Sequence, residues 1–320
     1  MTIPIVFIHK GYSEYMEYSL RQAKASNPGS RIILLGNESN NRFDFVDHVD
    51  MDNYFSKAVE FAEIYRHLST NPYQYELFCI QRWFILNKYM AENGMEKCFV
   101  CDTDVMIYSD IDEALKPFEK ADLALVIQNQ DYALSISLLP FKALEDFCSF
   151  ITNLYNDKQA VEKLNIYYKN VIARKNLGGV SDMTLAANWL NQAAYKNVMT
   201  LIKDKNNSVF DNHIGLPFLE EDCSYKYKFG HKQIIWKKNF PYCFSIKHQR
   251  YMRFHILHFQ GPAKYLMARY YNGNYFSART YLDIKFLLSC FIAYIYITLK
   301  IRYRFAWLFR IIFKENDKHL

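Results

Sequence analysis

The sequence predicts an α/β protein with a mostly parallel central sheet flanked by helices, on three observations. A short apolar run at residues 4–9 is followed by a helical pattern and by a second apolar run at residues 31–35, the β-α-β arrangement of a parallel sheet. Further apolar runs at residues 97–101, 121–127 and 255–259 have the length of buried strands. Apolar residues make up 51% of the 320 residues, which is ample for a sizeable core.

Helical patterns fill much of the sequence between these strands. Ser13 is expected to cap a first helix that runs to about Ala25. Gly94 is placed to end one later helix, and Ser181 is a plausible cap for another. The later helical segments are residues 53–65, 73–93, 141–170 and 182–193.

The charge of the chain is concentrated near its C-terminus. The net charge is +6, and residues 281–320 hold seven Lys and Arg against three Asp and Glu. The rest is nearly neutral, which argues against a nucleic-acid partner. The uncharged stretch at residues 286–299 is shorter than the roughly 20 residues of a membrane span. We therefore expect a domain at residues 1–275 and a helical membrane-association segment at residues 276–320 that lies on an anionic surface; a helix packed on the domain is the alternative.

The cysteines and the N-terminus indicate a reducing compartment. Seven cysteines at irregular spacing do not form a disulfide framework. Cys98 and Cys101 lie three apart in a predicted strand, so they should point to opposite faces and be ordinary buried thiols. The N-terminus lacks the pattern of a signal peptide. The expected location is cytoplasmic, peripheral to the inner face of the cell membrane.

Two aspartates follow the apolar run at residues 97–101. Asp102 and Asp104 stand where ligands bind in open α/β sheets, outside the carboxyl end of a strand. Residues two apart in an extended segment point the same way, and the two carboxylates would repel each other unless a cation joined them. Mg²⁺ and Mn²⁺ prefer such oxygen ligands. The alternative is a strand exit with two solvated carboxylates.

The segment KCFVCDTDVMIYSDI resembles the DxD segment of GT-A-fold glycosyltransferases, in which an apolar strand delivers the motif and another follows it. The resemblance implies a GT-A fold, a Mn²⁺ or Mg²⁺ cofactor and a nucleoside diphosphate sugar donor, with UDP the expected nucleotide. It further implies that Asp104 binds the metal directly and that Asp102 contacts the metal or the donor ribose.

A second motif, LHFQGPAKYL, holds a histidine, a glycine and a lysine. An imidazole suits Mn²⁺, a glycine lets backbone approach a phosphate, and a lysine can neutralise one. The spacing of His258, Gly261 and Lys264 is similar to the C-terminal motif of glycosyltransferase family 8. That resemblance implies that His258 completes the metal site, while Gly261 and Lys264 hold the diphosphate. Tyr265 departs from the family pattern. Taken alone, His258 would be a core or surface histidine.

Further candidates lie between and before these motifs. NLGGVSDMTLAANW resembles a loop and helix start of many GT-A enzymes and implies that Asp182 is the catalytic carboxylate beside the acceptor; a charge at a helix N-terminus is the alternative. QYELFCIQRWFILNKYM resembles the helix before the DxD strand, and it makes Arg82 a candidate to bind the donor, with a structural salt bridge as the alternative. Weaker donor-site candidates are Glu76, His9 and Lys10.

The expected activity is that of a metal-dependent glycosyltransferase acting on a glycan or lipid-linked acceptor in bacterial surface polysaccharide or lipopolysaccharide synthesis. The stereochemistry stays open because Ser-Asp-Met at residues 181–183 stands where family 8 usually has Asp-Gln-Asp. The resemblance to that family favours retention. One alternative is a non-catalytic GT-A-like protein that binds carbohydrate at the membrane. Another is a haloacid-dehalogenase-like phosphatase, which Met106 at the second position after Asp104 disfavours.

Overall fold

The computed structural model describes residues 2–128, 131–193, 195–215 and 224–272. The chain divides into two compact units. The first contains residues 2–9, 29–102 and 111–203, and the second contains residues 10–28, 103–110 and the described residues from 204 onward. Among the helices within these ranges, none combines the length and the apolar character needed to cross a membrane. The segment expected at 276–320 lies outside the described residues, so it stays a prediction.

The first unit is built on a mixed seven-stranded sheet in the order β3-β2-β1-β4-β7-β6-β8. Its strands are β1 Ile5–Ile8, β2 Ile32–Gly36, β3 Asp47–Asp50, β4 Lys97–Cys101, β6 Leu123–Gln128, β7 Asp131–Pro140 and β8 Val198–Thr200. The pairs β1–β2, β1–β4, β2–β3 and β6–β8 are parallel. Strand β7 runs antiparallel to both of its neighbours, β4 and β6. The predicted α/β class with a mostly parallel central sheet is therefore confirmed.

The helices of the first unit pack on this sheet. They are α2 Ser56–Ile64, α3 Tyr73–Glu92, α4 Ile111–Leu115, α5 Phe141–Asn156, α6 Lys158–Ala173 and α7 Asp182–Gln192. Alternate strand residues such as Val6, Ile8, Val100 and Leu125 share one apolar core with side chains of α2, α3, α5 and α7. The period of two along the strands places these side chains on one face, where burial of apolar area stabilises the sheet.

The second unit contains α1 Tyr15–Ser26, the connection between β1 and β2, and a set of short strands. These are β5 Val105–Ile107, β9 Ser208–Val209, β10 Tyr227–Lys228, β11 His231–Lys232, β12 Ile235–Lys237, β13 Phe240–Ser245, β14 Arg250–Phe254 and β15 Ile256–His258, followed by α8 Met267–Tyr270. A separate core around Met106, Met252, Phe254 and Leu257 joins them.

Several local predictions are wrong in detail. The first helix has Glu14 as its N-cap instead of Ser13. The helix expected at 141–170 is two helices, because Asp157 is extended and its side chain accepts a hydrogen bond from the backbone N–H of Gln159 at 2.8 Å, which caps α6. Residues 53–65 begin as a 3-10 turn, Met51–Tyr54, before α2 starts.

The long strand β7 and the antiparallel ladder β12-β13-β14 were not predicted. Cys98 and Cys101 are buried free thiols, as expected.

Candidate metal and donor site

Asp102 directly follows the carboxyl end of β4, at the end of the segment 29–102 of the first unit. Asp102 still donates its backbone N–H to the carbonyl of Ser135 on β7 at 3.0 Å, and the chain turns at the next two residues. Arg82 on α3 donates through Nη1 to Oδ1 of Asp102 at 2.7 Å. No described residue donates a hydrogen bond to Oδ2 of Asp102, so that oxygen remains open to a ligand.

Arg82 joins two of the predicted site residues within the first unit. Its Nη2 donates to Oδ2 of Asp182 at 2.8 Å, and the indole N–H of Trp83 donates to the same oxygen at 3.1 Å. Burial by itself would lower the pKa of Arg82, but the charges of Asp102 and Asp182 more than offset it and raise the pKa well above its usual value. The guanidinium therefore stays charged and holds both carboxylates in place. This is the structural salt bridge that the sequence analysis gave as the alternative role of Arg82.

Asp182 begins α7, where Ser181 is the N-cap. The Ser181 hydroxyl accepts the backbone N–H of Thr184 in a capping box. The other carboxylate oxygen of Asp182, Oδ1, lies 3.0 Å from the backbone nitrogen of Met183 and accepts its hydrogen. With its side chain only 12% exposed, Asp182 has both oxygens occupied by donors. It is an anchored anion at a helix N-terminus, which the backbone dipole favours.

In the second unit, Asp104 and His258 are brought together by the β5–β15 ladder. His258 is the register partner of Val105, and Phe259 donates its backbone N–H to the carbonyl of Asp104 at 2.9 Å. His258 Nε2 lies 3.3 Å from Asp104 Oδ1. Lys264 Nζ lies 3.3 Å from Asp104 Oδ2. Both predicted motifs of this unit therefore meet at one carboxylate.

A backbone carbonyl fixes the orientation of the His258 imidazole. Its Nδ1 lies 2.7 Å from the carbonyl oxygen of Asn212. A carbonyl oxygen only accepts, so Nδ1 carries a proton, and Nε2 is the ring nitrogen that faces Asp104. The backbone N–H of His258 donates to Asp211 Oδ2 at 3.1 Å. Asp211 in turn forms a buried ion pair with Lys232, whose Nζ lies 2.6 Å from Asp211 Oδ1 and 2.6 Å from the carbonyl oxygen of His213.

Asp104 is a buried carboxylate that lacks one expected donor. Its Oδ1 is buried and accepts no hydrogen bond within the described part of the chain, although His258 stands at an ion-pair distance. Burial alone would raise the pKa of Asp104, but His258 and Lys264 lower the pKa by more. The carboxylate is therefore ionised at neutral pH. A buried anionic oxygen beside an imidazole nitrogen is an arrangement that a bound cation can satisfy.

A divalent cation fits these residues. Asp104 and His258, both in the second unit, offer ligand atoms 3.3 Å apart, and Asp102 precedes Asp104 by two residues along the chain. Two ligands about 2.1 Å from the same ion are at most about 4.2 Å apart, so Asp104 and His258 already lie within that distance. Two carboxylates and one imidazole suit Mn²⁺ or Mg²⁺.

The remaining predicted residues are placed as follows. Gly261 starts the 3-10 helix Gly261–Leu266 with φ +55, a left-handed conformation that explains the glycine without reference to a ligand. Glu76 is buried and accepts from Ser69 Oγ and Asn71 Nδ2, both at 2.8 Å, so it fixes the loop before α3. His9 follows β1, and its carbonyl accepts from the Asn40 side chain at 2.8 Å.

Lys10 lies in the second unit, and its place in a donor site stays a prediction. Sequence reasoning missed Asp211, Lys232 and Trp83. The polar run at residues 211–213 directly after the apolar Val209 and Phe210 is a weak signal for the first of them. Nothing in the sequence marks Lys232 as buried.

No protein-family model and no curated protein matches the chain. Two solved structures are similar to it in part. One is the glycosyltransferase GlyE of Streptococcus pneumoniae TIGR4, with 13% identity and a TM-score of 0.37 over 63% of this chain and 45% of that one. The other is WbbM, a bifunctional glycosyltransferase, with 14% identity and a TM-score of 0.32 over 63% of this chain and 39% of that one. The chain spans less than half the length of either protein. Similarity at these TM-scores does not establish a shared fold, so the candidate site rests on its own geometry.

Proposed function

We propose that this protein is a metal-dependent glycosyltransferase that uses a nucleoside diphosphate sugar, with UDP as the nucleotide. The observation that carries the proposal is the buried Asp104 Oδ1, which lacks a hydrogen-bond donor among the described residues and faces the fixed Nε2 of His258. The DxD and His-Gly-Lys motifs supply the reaction class by resemblance. Asp102, Asp104 and His258 would hold Mn²⁺ or Mg²⁺.

The chemical barrier in such a transfer is departure of the diphosphate. The bond between the anomeric carbon and the diphosphate oxygen breaks, its electron pair stays on the diphosphate, and the acceptor hydroxyl oxygen bonds to the anomeric carbon. A divalent cation held by Asp102, Asp104 and His258 would neutralise charge that builds on the diphosphate. Lys264 is one-third exposed and forms an ion pair with the second oxygen of Asp104, so its ammonium can donate to a phosphate oxygen of the donor. Gly261 opens the turn that carries Lys264.

Asp182 and Arg82 have a supporting role in this proposal. A general base needs a free lone pair near the acceptor hydroxyl, and Asp182 already accepts from Arg82, Trp83 and the Met183 backbone. The acceptor proton would then go to a diphosphate oxygen, which favours retention of configuration. Arg82 holds Asp102 by one oxygen and leaves the other for the metal or the donor ribose.

The setting of the reaction is proposed from the sequence. The basic, aromatic tail at residues 276–320 would lie on an anionic membrane surface at the cytoplasmic face. The acceptor would be a glycan or lipid-linked saccharide of bacterial surface polysaccharide or lipopolysaccharide synthesis. The alternative is a non-catalytic protein of the same fold that binds carbohydrate at the membrane and transfers no sugar.

The first test is metal binding, because it does not require knowledge of the sugar. We expect Mn²⁺ to bind in calorimetry and to strengthen UDP binding. Asp104→Asn and His258→Gln should each weaken Mn²⁺ binding by at least about 100-fold, more than the 10- to 100-fold of an outer-shell change. The matched controls are Asp44→Asn and His248→Gln, two exposed residues, which should bind Mn²⁺ as the wild type does.

The second test is donor hydrolysis over a panel of nucleotide sugars, with and without chelator. We expect slow metal-dependent hydrolysis of one donor, abolished by Asp104→Asn. Activity that persists in excess chelator contradicts the metal assignment. Metal-dependent UDP binding without hydrolysis or transfer of any donor supports the non-catalytic alternative instead.

A further inference from the structure

Helix α6, at Lys158–Ala173, and the loop that follows it carry an unusual surface within the first unit. Of the residues in α6, only Leu164 is buried. Residues 158–177 contain five basic side chains and one acidic side chain, and all five basic residues are exposed. They are Lys158, Lys163, Lys169, Arg174 and Lys175.

The charges on this surface are not neutralised within the described part of the chain. Lysines on the other helical segments of the first unit pair with acids one turn away, as Lys57 does with Glu60 and Lys116 does with Glu113. None of the five basic residues of α6 and its loop pairs with a described carboxylate. The positive charge of this surface is therefore available to attract an anionic partner.

Large apolar side chains are exposed among these charges. Ile166, Tyr167 and Ile172 of α6 are 52%, 45% and 44% exposed, and Leu177 in the loop is 81% exposed. Lys163 and Lys169 lie three residues before and three residues after Ile166, so both neighbour it on the helix surface. Apolar side chains surrounded by lysines can be buried in an apolar phase, because the flexible lysine stems let the ammonium groups reach the polar layer above it.

Leu177 is held outward by a fixed backbone. The next residue, Gly178, donates its N–H to Thr70 Oγ1 at 2.7 Å and accepts from the Thr70 backbone at 3.0 Å. Val180 donates to the carbonyl of Leu68 at 2.8 Å. The loop therefore cannot relieve the exposure of Leu177 by folding it inward without losing these bonds, and the apolar side chain is available at a constant position.

We propose that α6 and the loop at residues 174–177, here called the α6 face, bind the surface of an anionic lipid bilayer. Its uncompensated positive charge complements lipid phosphates, and its exposed apolar side chains would enter the boundary between headgroups and acyl chains. The proposal concerns the first unit alone. It depends neither on the glycosyltransferase activity nor on the segment at residues 276–320.

The test is partition of the full chain onto vesicles of phosphatidylcholine with and without phosphatidylglycerol, at about 0.1 M salt. Each basic residue near an anionic surface changes partition about fivefold, so Lys163→Gln with Lys169→Gln should lower it roughly 25-fold. Ile166→Ser with Leu177→Ser should lower it about tenfold, through lost apolar burial. The lysine variant should also weaken the dependence on salt.

Matched controls are Lys57→Gln with Lys116→Gln, which removes two exposed but paired lysines, and Val59→Ser, which removes an apolar side chain that is 53% exposed on α2. Both should partition as the wild type does. All variants keep residues 276–320, so binding through that segment is common to them. Equal partition of the lysine variant and the wild type overturns the proposal, as does partition that ignores phosphatidylglycerol. If the wild type binds duplex DNA but not vesicles, and the lysine variant loses the DNA binding, the α6 face binds nucleic acid instead.

Discussion

Replacing Lys232 by methionine tests whether a buried ion pair holds the segment behind His258. The side chain of Asp211 is fully buried and that of Lys232 is 6% exposed, with 2.6 Å between Asp211 Oδ1 and Lys232 Nζ. Lys232→Met keeps most of the buried side-chain volume, but among the described residues it leaves the Asp211 carboxylate with the backbone N–H of His258 as its one donor.

The expected magnitude follows from this geometry. Breaking a buried pair by removal of one partner costs about 3–5 kcal/mol of unfolding free energy, because the remaining charge is uncompensated. With a urea m-value of about 3 kcal/mol/M, the unfolding midpoint should fall by about 1 M or more. The double variant Asp211→Leu with Lys232→Met removes both charges, and it should recover most of the lost stability.

Urea unfolding followed by circular dichroism measures these changes, and Mn²⁺ calorimetry on the same proteins measures the consequence for His258. We expect the double variant to be stable yet to bind Mn²⁺ about 10- to 100-fold more weakly, since the backbone of His258 has lost its acceptor. Lys57→Met is the control, because Lys57 is exposed and its pair contributes about 0.5 kcal/mol or less. A loss below about 1 kcal/mol for Lys232→Met, or no recovery in the double variant, refutes the reasoning.

Two further predictions concern a glycine and a histidine. Gly179→Ala should cost several kcal/mol or prevent folding of its loop, because an added Cβ would stand 2.3 Å from the carbonyl oxygen of Leu68 at φ +154; Gly178→Ala, with φ +98 and open space around it, should cost only about 1 kcal/mol in the same thermal or urea unfolding. Burial, together with the nearby charge of Arg253, lowers the pKa of His255 to about 4. Because the folded pKa lies below the unfolded pKa of about 6.5, His255 contributes stability that is complete above pH 6.5 and is lost as the pH falls towards 4, by roughly 3 kcal/mol. The free energy of unfolding of His255→Gln should fall correspondingly less between pH 6.5 and 4 than that of the wild type. The same pH dependence of unfolding in both proteins would contradict the assignment.

The sequence was a good guide to the apolar elements of the first unit. Strands β1, β2, β4 and β6 and helices α3 and α7 were foreseen, because long apolar runs and helical periodicity reflect burial directly. Antiparallel β7 was missed. Its central residues are small and polar as well as apolar, and its pairing with β4 and β6 is decided by long-range contacts that no local pattern encodes.

The polar partners of the candidate site depended on tertiary structure. From the sequence, Arg82 was a donor-binding candidate and Asp182 a catalytic carboxylate; their residues lie 100 positions apart, and only folding makes them an ion pair. In the same way, Lys232 looks like any surface lysine until β11 places its ammonium between Asp211 and the carbonyl of His213.

What the sequence determined by itself was the α/β class and the strand that delivers Asp102 and Asp104, whereas the pairing of that motif with the distant His258 was implied by a family resemblance. These are properties of apolar periodicity and of short motifs, which local chain geometry fixes. Only the tertiary structure decided which cation neutralises which carboxylate, and that Asp104 keeps one buried oxygen without a donor among the described residues. The physical reason is that hydrogen-bond and ion-pair partners are selected by distance and direction in space, and separation along the chain carries no information about either.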